Sequence, residues 1–290
     1  MRSCFRALGV LVFLSTCPPT QAQVAGSSSQ QPGQPSGLSQ LQQKIIEGVM
    51  AAWEADAKNL QSLFVVFRIE EKGDPFSPNK ILASHGEARV LKLPSGQFGL
   101  KLEVFNLTPN GQVDRNSIKE KYIYSNSSLY TFDYSNKIVT SRKVNNQQMA
   151  SADGPLAFLV GMKAADARKR FAMSIVQDDP TTLWVRIQPL TAQDQQYFTV
   201  VQIGIAKTAG PNAPKDFPGR IMWREPGGKE LDWKFQSVVR NNAAQITEAD
   251  FSIDYEKRLG WQVREAPPLG ATAPNTSPGL PTSGNGPPRK

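Results

Sequence analysis

The sequence predicts a mainly β, α+β fold. We expect a large curled antiparallel sheet, an unclosed β-barrel of about ten or eleven strands, with an N-terminal amphipathic helix and short helices as its lid. Three observations carry this. Hydrophobic residues recur at three- and four-residue steps in only one long segment near the start. After it the apolar period falls to two, segment after segment, with Asn, Ser, Gly and Pro between. A flat sheet of that width would leave long unpaired edges, so many short strands in series favour curling.

The opening helix is read from Leu38, Leu41, Ile45, Val49, Ala52, Trp53 and Leu60, with Gln42, Gln43, Glu47, Glu54 and Lys58 on the opposite face. Ser36 or Ser39 is placed to cap it. Strands follow at Phe64–Ile69, Ile81–Leu93 and Leu100–Val104. In Leu100-Lys101-Leu102-Glu103-Val104 apolar and charged residues alternate strictly, which predicts one dry face and one wet face. Glu120–Tyr124, Leu129–Tyr134 and Lys137–Val144 are spaced like a meander. A helical interlude covers Leu156–Met162 and Ala164–Phe171. Strands resume at Met173–Val176, Thr182–Ile187, Thr199–Ile205, Gly219–Arg224, Leu231–Val239 and Asp250–Ile253.

The ends read differently. Arg2 and Arg6 precede the apolar run Ala7–Leu14, and Ala22 is a small residue suited to cleavage, so residues 1–22 have the form of a signal peptide. That run is far short of the roughly 20 residues a spanning helix needs. Leu14-Ser15-Thr16-Cys17 resembles a lipoprotein box, in which a lipid on Cys17 would tether the chain; Thr16 fits that box poorly. Residues 23–37 and 264–290 are rich in Ser, Gln, Pro and Gly and read as a disordered linker and a disordered Pro-rich tail. The folded domain is expected over 38–263, as a monomer, with export to the periplasm or cell envelope. A chain of that length needs no disulfides, since a domain above about 150 residues buries roughly 70% of its unfolded surface.

The catalytic inventory is small. Cys4 and Cys17 both lie in the leader, and His85 is the one histidine of the 290-residue chain. With no second histidine and no cysteine beside it, His85 is read as a surface or edge-strand residue rather than a base or metal ligand. Glu70-Glu71 and Asp178-Asp179 are neighbours in sequence, so alternation sends them to opposite faces, and strand ends at turns are their expected place. A hydrolase with acid and base on distant strands stays open as a minor alternative. The net charge is +8, and +6 once Arg2 and Arg6 are removed (31 basic against 25 acidic). The basic residues are scattered, which suits a soluble surface or an anionic membrane surface and not nucleic acid. No cofactor, metal or catalytic residue is assigned.

Aromatic and aliphatic side chains carry the functional expectation. Trp53 on the helix, with Phe67, Leu91, Leu102, Phe132, Val185, Trp223 and Trp233 on strands, are the candidate lining of an apolar groove. A bound twelve-carbon chain would gain ~9 kcal/mol before entropic losses, at ~0.8 kcal/mol per methylene. The alternative is an envelope structural or sensing module that binds other proteins and has a filled interior.

Several segments in order resemble the LolA-type lipoprotein carrier superfamily. They are Gly86…Lys92-Leu93-Pro94…Phe98, Leu129-Tyr130-Thr131-Phe132-Asp133-Tyr134, Gly154-Pro155-Leu156, Leu183–Pro189 and Gln202–Ile205, followed by Phe235 and Phe251. The resemblance spans roughly Leu38 to Tyr255. It implies an unclosed barrel with a helical lid over a cavity for acyl chains, and lipid or a lipidated protein as partner. The closing segment Phe251-Ser252-Ile253-Asp254-Tyr255, read as a strand, lacks the superfamily's Pro-Gly step.

Overall fold

The computed structural model describes residues 39–73, 80–144, 164–210, 214–242 and 246–266. The expected leader, the linker, the Leu156–Met162 helix and most of the tail lie outside the described residues. Helix α1 (Gln40–Asn59) is followed by β1 (Ser62–Lys72), β2 (Leu82–Lys92), β3 (Phe98–Leu107), β4 (Val113–Ser125), β5 (Ser128–Asp133) and β6 (Ile138–Lys143). Then come α2 (Ala164–Arg170), β7 (Phe171–Asp178), β8 (Thr182–Pro189), α3 (Ala192–Gln195), β9 (Val200–Ala206), β10 (Pro218–Arg224) and β11 (Glu230–Arg240). A 3₁₀ turn (Glu248–Phe251), α4 (Asp254–Arg258) and β12 (Gln262–Glu265) complete the described chain.

All twelve strands form one sheet in the order β12-β6-β5-β4-β3-β2-β1-β11-β10-β9-β8-β7. Two antiparallel meanders, β1–β6 and β7–β11, are joined by pairing of β1 with β11. Among the described residues β7 and β12 pair with one neighbour each, so the barrel stays open between them. Turn chemistry sets the register. Between β4 and β5, Asn126 and Ser127 both take positive φ (49° and 57°), the two-residue hairpin form whose twist matches that of the strands. Between β5 and β6, the Asp133 carboxylate accepts from the backbone N–H of Ser135 and Asn136 at 3.0 and 3.1 Å.

α1 begins at Ser39, whose Oγ accepts from Gln42 N–H at 3.2 Å while Gln42 Oε1 accepts from Ser39 N–H at 3.1 Å. Its buried stripe is Ile46, Met50 and Trp53, flanked by Ile45 and Val49. Leu41, expected on that stripe, is exposed, because the apolar layer beneath starts further along the helix.

Two differences from the sequence reading concern the end of the chain. Asp250–Ile253 is not a closing strand. Asp250 folds back to accept from Thr247 N–H at 2.9 Å, and the segment turns into the 3₁₀ element and α4. The last strand is instead β12, which runs parallel to β6, the one parallel pair among the described residues. All four of its residues are exposed, so it carries no alternating burial for a sequence pattern to show.

The sheet buries both faces in part. The face toward α1, called inner below, holds one apolar cluster drawn from α1, α2 and strands of both meanders. The opposite face holds a second cluster of Leu93, Ile123, Val139, Ile246, Phe251 and Ile253, roofed by the segment from Ile246 to Trp261. That roof corrects the expected wet face of β3. Glu103 points to it and is buried there, because the chain returns over the sheet after β11.

Candidate functional site

The inner face is assembled by alternation. Leu63, Val65 and Phe67 of β1 share it with Ala88 and Val90 of β2, and with Phe98, Leu100 and Leu102 of β3. Val185, Val201, Ile203, Ile221, Trp223, Leu231, Trp233 and Phe235 continue it across β8–β11. Cross-strand pairing puts Ile69, Trp233, Ile221, Ile203 and Val185 in one row. At the centre is a ladder of rings. Phe67 stacks on Trp233 with centroids 4.7 Å apart, Trp233 stacks on Trp223 at 5.9 Å, and Phe235 meets Phe67 edge-on at 6.3 Å.

Of the eight residues expected to line a groove, six come together on this face: Trp53, Phe67, Leu102, Val185, Trp223 and Trp233. The other two do not join them. Leu91 and Phe132 pack into the second cluster, with Phe132 edge-on to Trp261 at 6.0 Å. In β2 the inner positions are 88 and 90, so Leu91 necessarily faces the other way. Trp184 also faces outward, over the bare backbone of Gly204 and beneath the Arg220 guanidinium at 5.9 Å.

α1 closes over the inner face through side chains and a few polar ties. The Trp53 indole N–H donates to the Asp216 carbonyl at 2.8 Å. Arg240 of β11 pairs with Asp56 at 2.7 Å, and Arg168 of α2 pairs with Glu47 at 3.2 Å. With the helix seated, the six residues are between 0 and 7% exposed.

At the edge of the same face stands Glu120. It lies in one cross-strand row with Val104, Gly86 and Phe67, and accepts from the Tyr122 hydroxyl at 3.2 Å. Burial raises its carboxyl above the ordinary range, against the pull of Lys119.

The charged constellation lies on the other face, beneath the roof. Glu87 and Glu103 are direct cross-strand partners, bridged by Arg89 at 3.0 and 3.2 Å. Arg115 reaches Glu87 at 2.6 Å and Lys101 reaches Glu103 at 3.1 Å. Lys121 binds Glu256 of α4 at 2.5 Å and stands 4.8 Å over the Phe132 ring. Each carboxylate therefore has at least one cation against it, the arrangement of a structural ion-pair network rather than of an acid–base pair. The signal in sequence was charge at alternate positions (87 and 89, 101 and 103), which shows a shared face but not what covers it.

His85 is corrected as well. It lies on β2, an internal strand paired on both sides, and is half-buried with Nε2 3.8 Å from Glu87. Burial lowers its pKa, Glu87 opposes that and Arg115 adds to it. Glu70 and Glu71 do take opposite faces: Glu70 binds Lys234 at 2.7 Å and Glu71 binds Lys229 at 2.8 Å. Asp178 ends β7 and pairs with Lys207. Among the described residues no three His, Cys, Asp or Glu side chains cluster as metal ligands, and no helix is long and apolar enough to cross a membrane.

No protein-family model and no curated protein matches the chain. Solved structures do. The chain is similar to a putative outer membrane lipoprotein-sorting protein domain from Vibrio parahaemolyticus, at 9% identity over 73% of this chain and 97% of that one, with TM-score 0.39. An uncharacterized conserved protein from Thermus thermophilus aligns at 12% identity over 76% and 99%, with TM-score 0.42. A LolA superfamily protein from Nitrosomonas europaea aligns at 8% identity over 72% and 98%, with TM-score 0.35.

Proposed function

We propose that this chain is an exported, non-enzymatic binding domain that takes the acyl chain of a lipid or lipidated protein onto its inner face, beneath α1. The observation that carries the reading is the continuous apolar layer shared by one amphipathic helix and by strands of both meanders. Displacing α1 would free the part of that layer which Ile46, Met50 and Trp53 cover. An acyl chain would then take over the contacts that Ile46, Met50 and Trp53 make, at ~0.8 kcal/mol for each methylene buried. The polar ties of α1 among the described residues are single hydrogen bonds and ion pairs, which can break against water at modest cost. Aliphatic and aromatic surface is sufficient for this work, which agrees with a chain whose one histidine is half-buried beside an ion-pair network. Export rests on the leader-like residues 1–22.

A fluorescent fatty acid titrated into the purified chain tests this. Saturable uptake is expected, with hydrogen exchange of α1 changing on binding. Absence of uptake, together with recovery from its own membranes as bare polypeptide by native mass spectrometry, would overturn it. The near-complete burial of the inner side chains in one another favours, as second reading, a protein-binding envelope module with a filled interior. That reading predicts no uptake.

A further inference from the structure

Three tryptophans belong to the inner layer, and their indole N–H groups fare differently. Trp53 donates to the Asp216 carbonyl. Trp223 and Trp233 are 6% and 2% exposed, and among the described residues no atom accepts from either Nε1. Their surroundings explain why. Trp233 has Ile69 and Ile221 as cross-strand partners, and Trp223 has Leu231 and Val201. The ring faces of Trp233 are taken by Phe67 and Trp223. None of these side chains offers an acceptor, and indole can only donate.

A buried donor left unpaired bears the full cost of losing its water, and native proteins keep few of them. Phenylalanine would maintain the same ring stack without that cost. The two rings that carry these donors stack on each other within a layer of aliphatic and aromatic side chains, on the face that Ile46, Met50 and Trp53 of α1 cover. A plain hydrocarbon would leave both unpaired. A ligand that brings a carbonyl oxygen into the layer would pair them.

We infer that Trp223 and Trp233 read the ester or amide carbonyl of an acylated ligand, so that the inner face selects acyl esters and amides over plain hydrocarbon of equal length. This rests on the acyl-binding reading above and specifies the chemistry of its ligand.

The test uses the full chain and displacement of a bound fluorescent fatty acid by methyl laurate or by tridecane. The quantity read is the ratio of the two apparent affinities in the parent chain against that ratio in Trp223→Phe/Trp233→Phe. Differences in solubility cancel in that comparison. The ratio is expected to fall by about tenfold in the double variant, which corresponds to about 1.4 kcal/mol, with tridecane binding unchanged. An unchanged ratio overturns the carbonyl assignment and leaves acyl binding standing. No uptake of the fluorescent probe overturns both.

Because the double variant changes two core rings, the indole ¹⁵N–¹H resonances of the parent chain supply an independent measure. Two of them are expected to move downfield on adding methyl laurate and to stay in place with tridecane. If both are already shifted downfield in the ligand-free chain and do not respond to the ester, a trapped water satisfies them and the inference fails.

Discussion

The ring of Phe67 on β1 lies flat across Gly86 on β2, so close that a Cβ at that position would stand 2.0 Å from the Phe67 Cε2. This glycine is there for space and not for backbone freedom. It lets Phe67 lie down and present its face to Trp233.

Gly86→Ala is therefore expected to lift Phe67 out of its place and to disturb the ring ladder. Overpacking of this kind costs about 1–3 kcal/mol. Thermal unfolding should show the loss of stability, and Gly86→Ala combined with Phe67→Leu should recover part of it. Equal Tm values for Gly86→Ala and the parent chain would show that the contact is not tight.

Gly99 plays the same part on the other face, where a Cβ would stand 2.7 Å from the Phe251 ring. Gly99→Val should expel Phe251 and loosen the roof from Ile246 to Trp261. The measurement is hydrogen exchange by segment. Protection should drop in 246–266 and persist in β8 and β9, at the far end of the sheet from the roof.

Lys121 and Glu256 form a buried pair that ties α4 to β4, with side chains 10% and 7% exposed. Lys121→Met leaves a buried carboxylate with one oxygen, Oε2, that already has no partner among the described residues. A loss of about 3–5 kcal/mol is expected, whereas Lys121→Met with Glu256→Leu should come close to the parent chain. Denaturant unfolding of the double-mutant cycle checks both statements.

His85 gives a clean titration, because the chain has one imidazole. Burial holds its pKa below the ordinary 6.5. In the window below 6.5 the unfolded chain binds the proton and the folded one does not, so this residue's contribution to stability falls as pH drops through that window and is restored as pH rises past 6.5. NMR titration of the ring should give a midpoint below 6.5. Glu87→Gln removes an attraction and should lower it further, while Arg115→Ala removes a repulsion and should raise it. Movement in the same direction for both variants would contradict the geometry.

Much of the architecture was legible because it follows from local periodicity. The strands at Thr182–Ile187, Gly219–Arg224 and Leu231–Val239 lie within β8, β10 and β11, and Ser39 caps α1 as its spacing suggested. What failed shares one cause. Glu103 read as wet, His85 as peripheral and Leu91 as inward because the sequence shows that neighbouring positions alternate without showing what covers each side. The same holds for the candidate groove: alternation could pair Val185 with Trp223 and Trp233 on one face, but not assign Phe132 to the opposite one. β12 was invisible, since an exposed strand needs no alternation.

By itself the sequence determined the β period, the single amphipathic helix, the turns and the poverty of catalytic side chains. These are statements about each residue and its near neighbours, which steric and hydrophobic preferences settle within a few positions. Only the tertiary structure decided which face α1 covers, that the chain returns after β11 to bury a charged network, and that two indole donors end among aliphatic and aromatic side chains that offer no acceptor. Those outcomes depend on strands more than a hundred residues apart being brought into register, as β1 is with β11, and no local preference encodes that pairing.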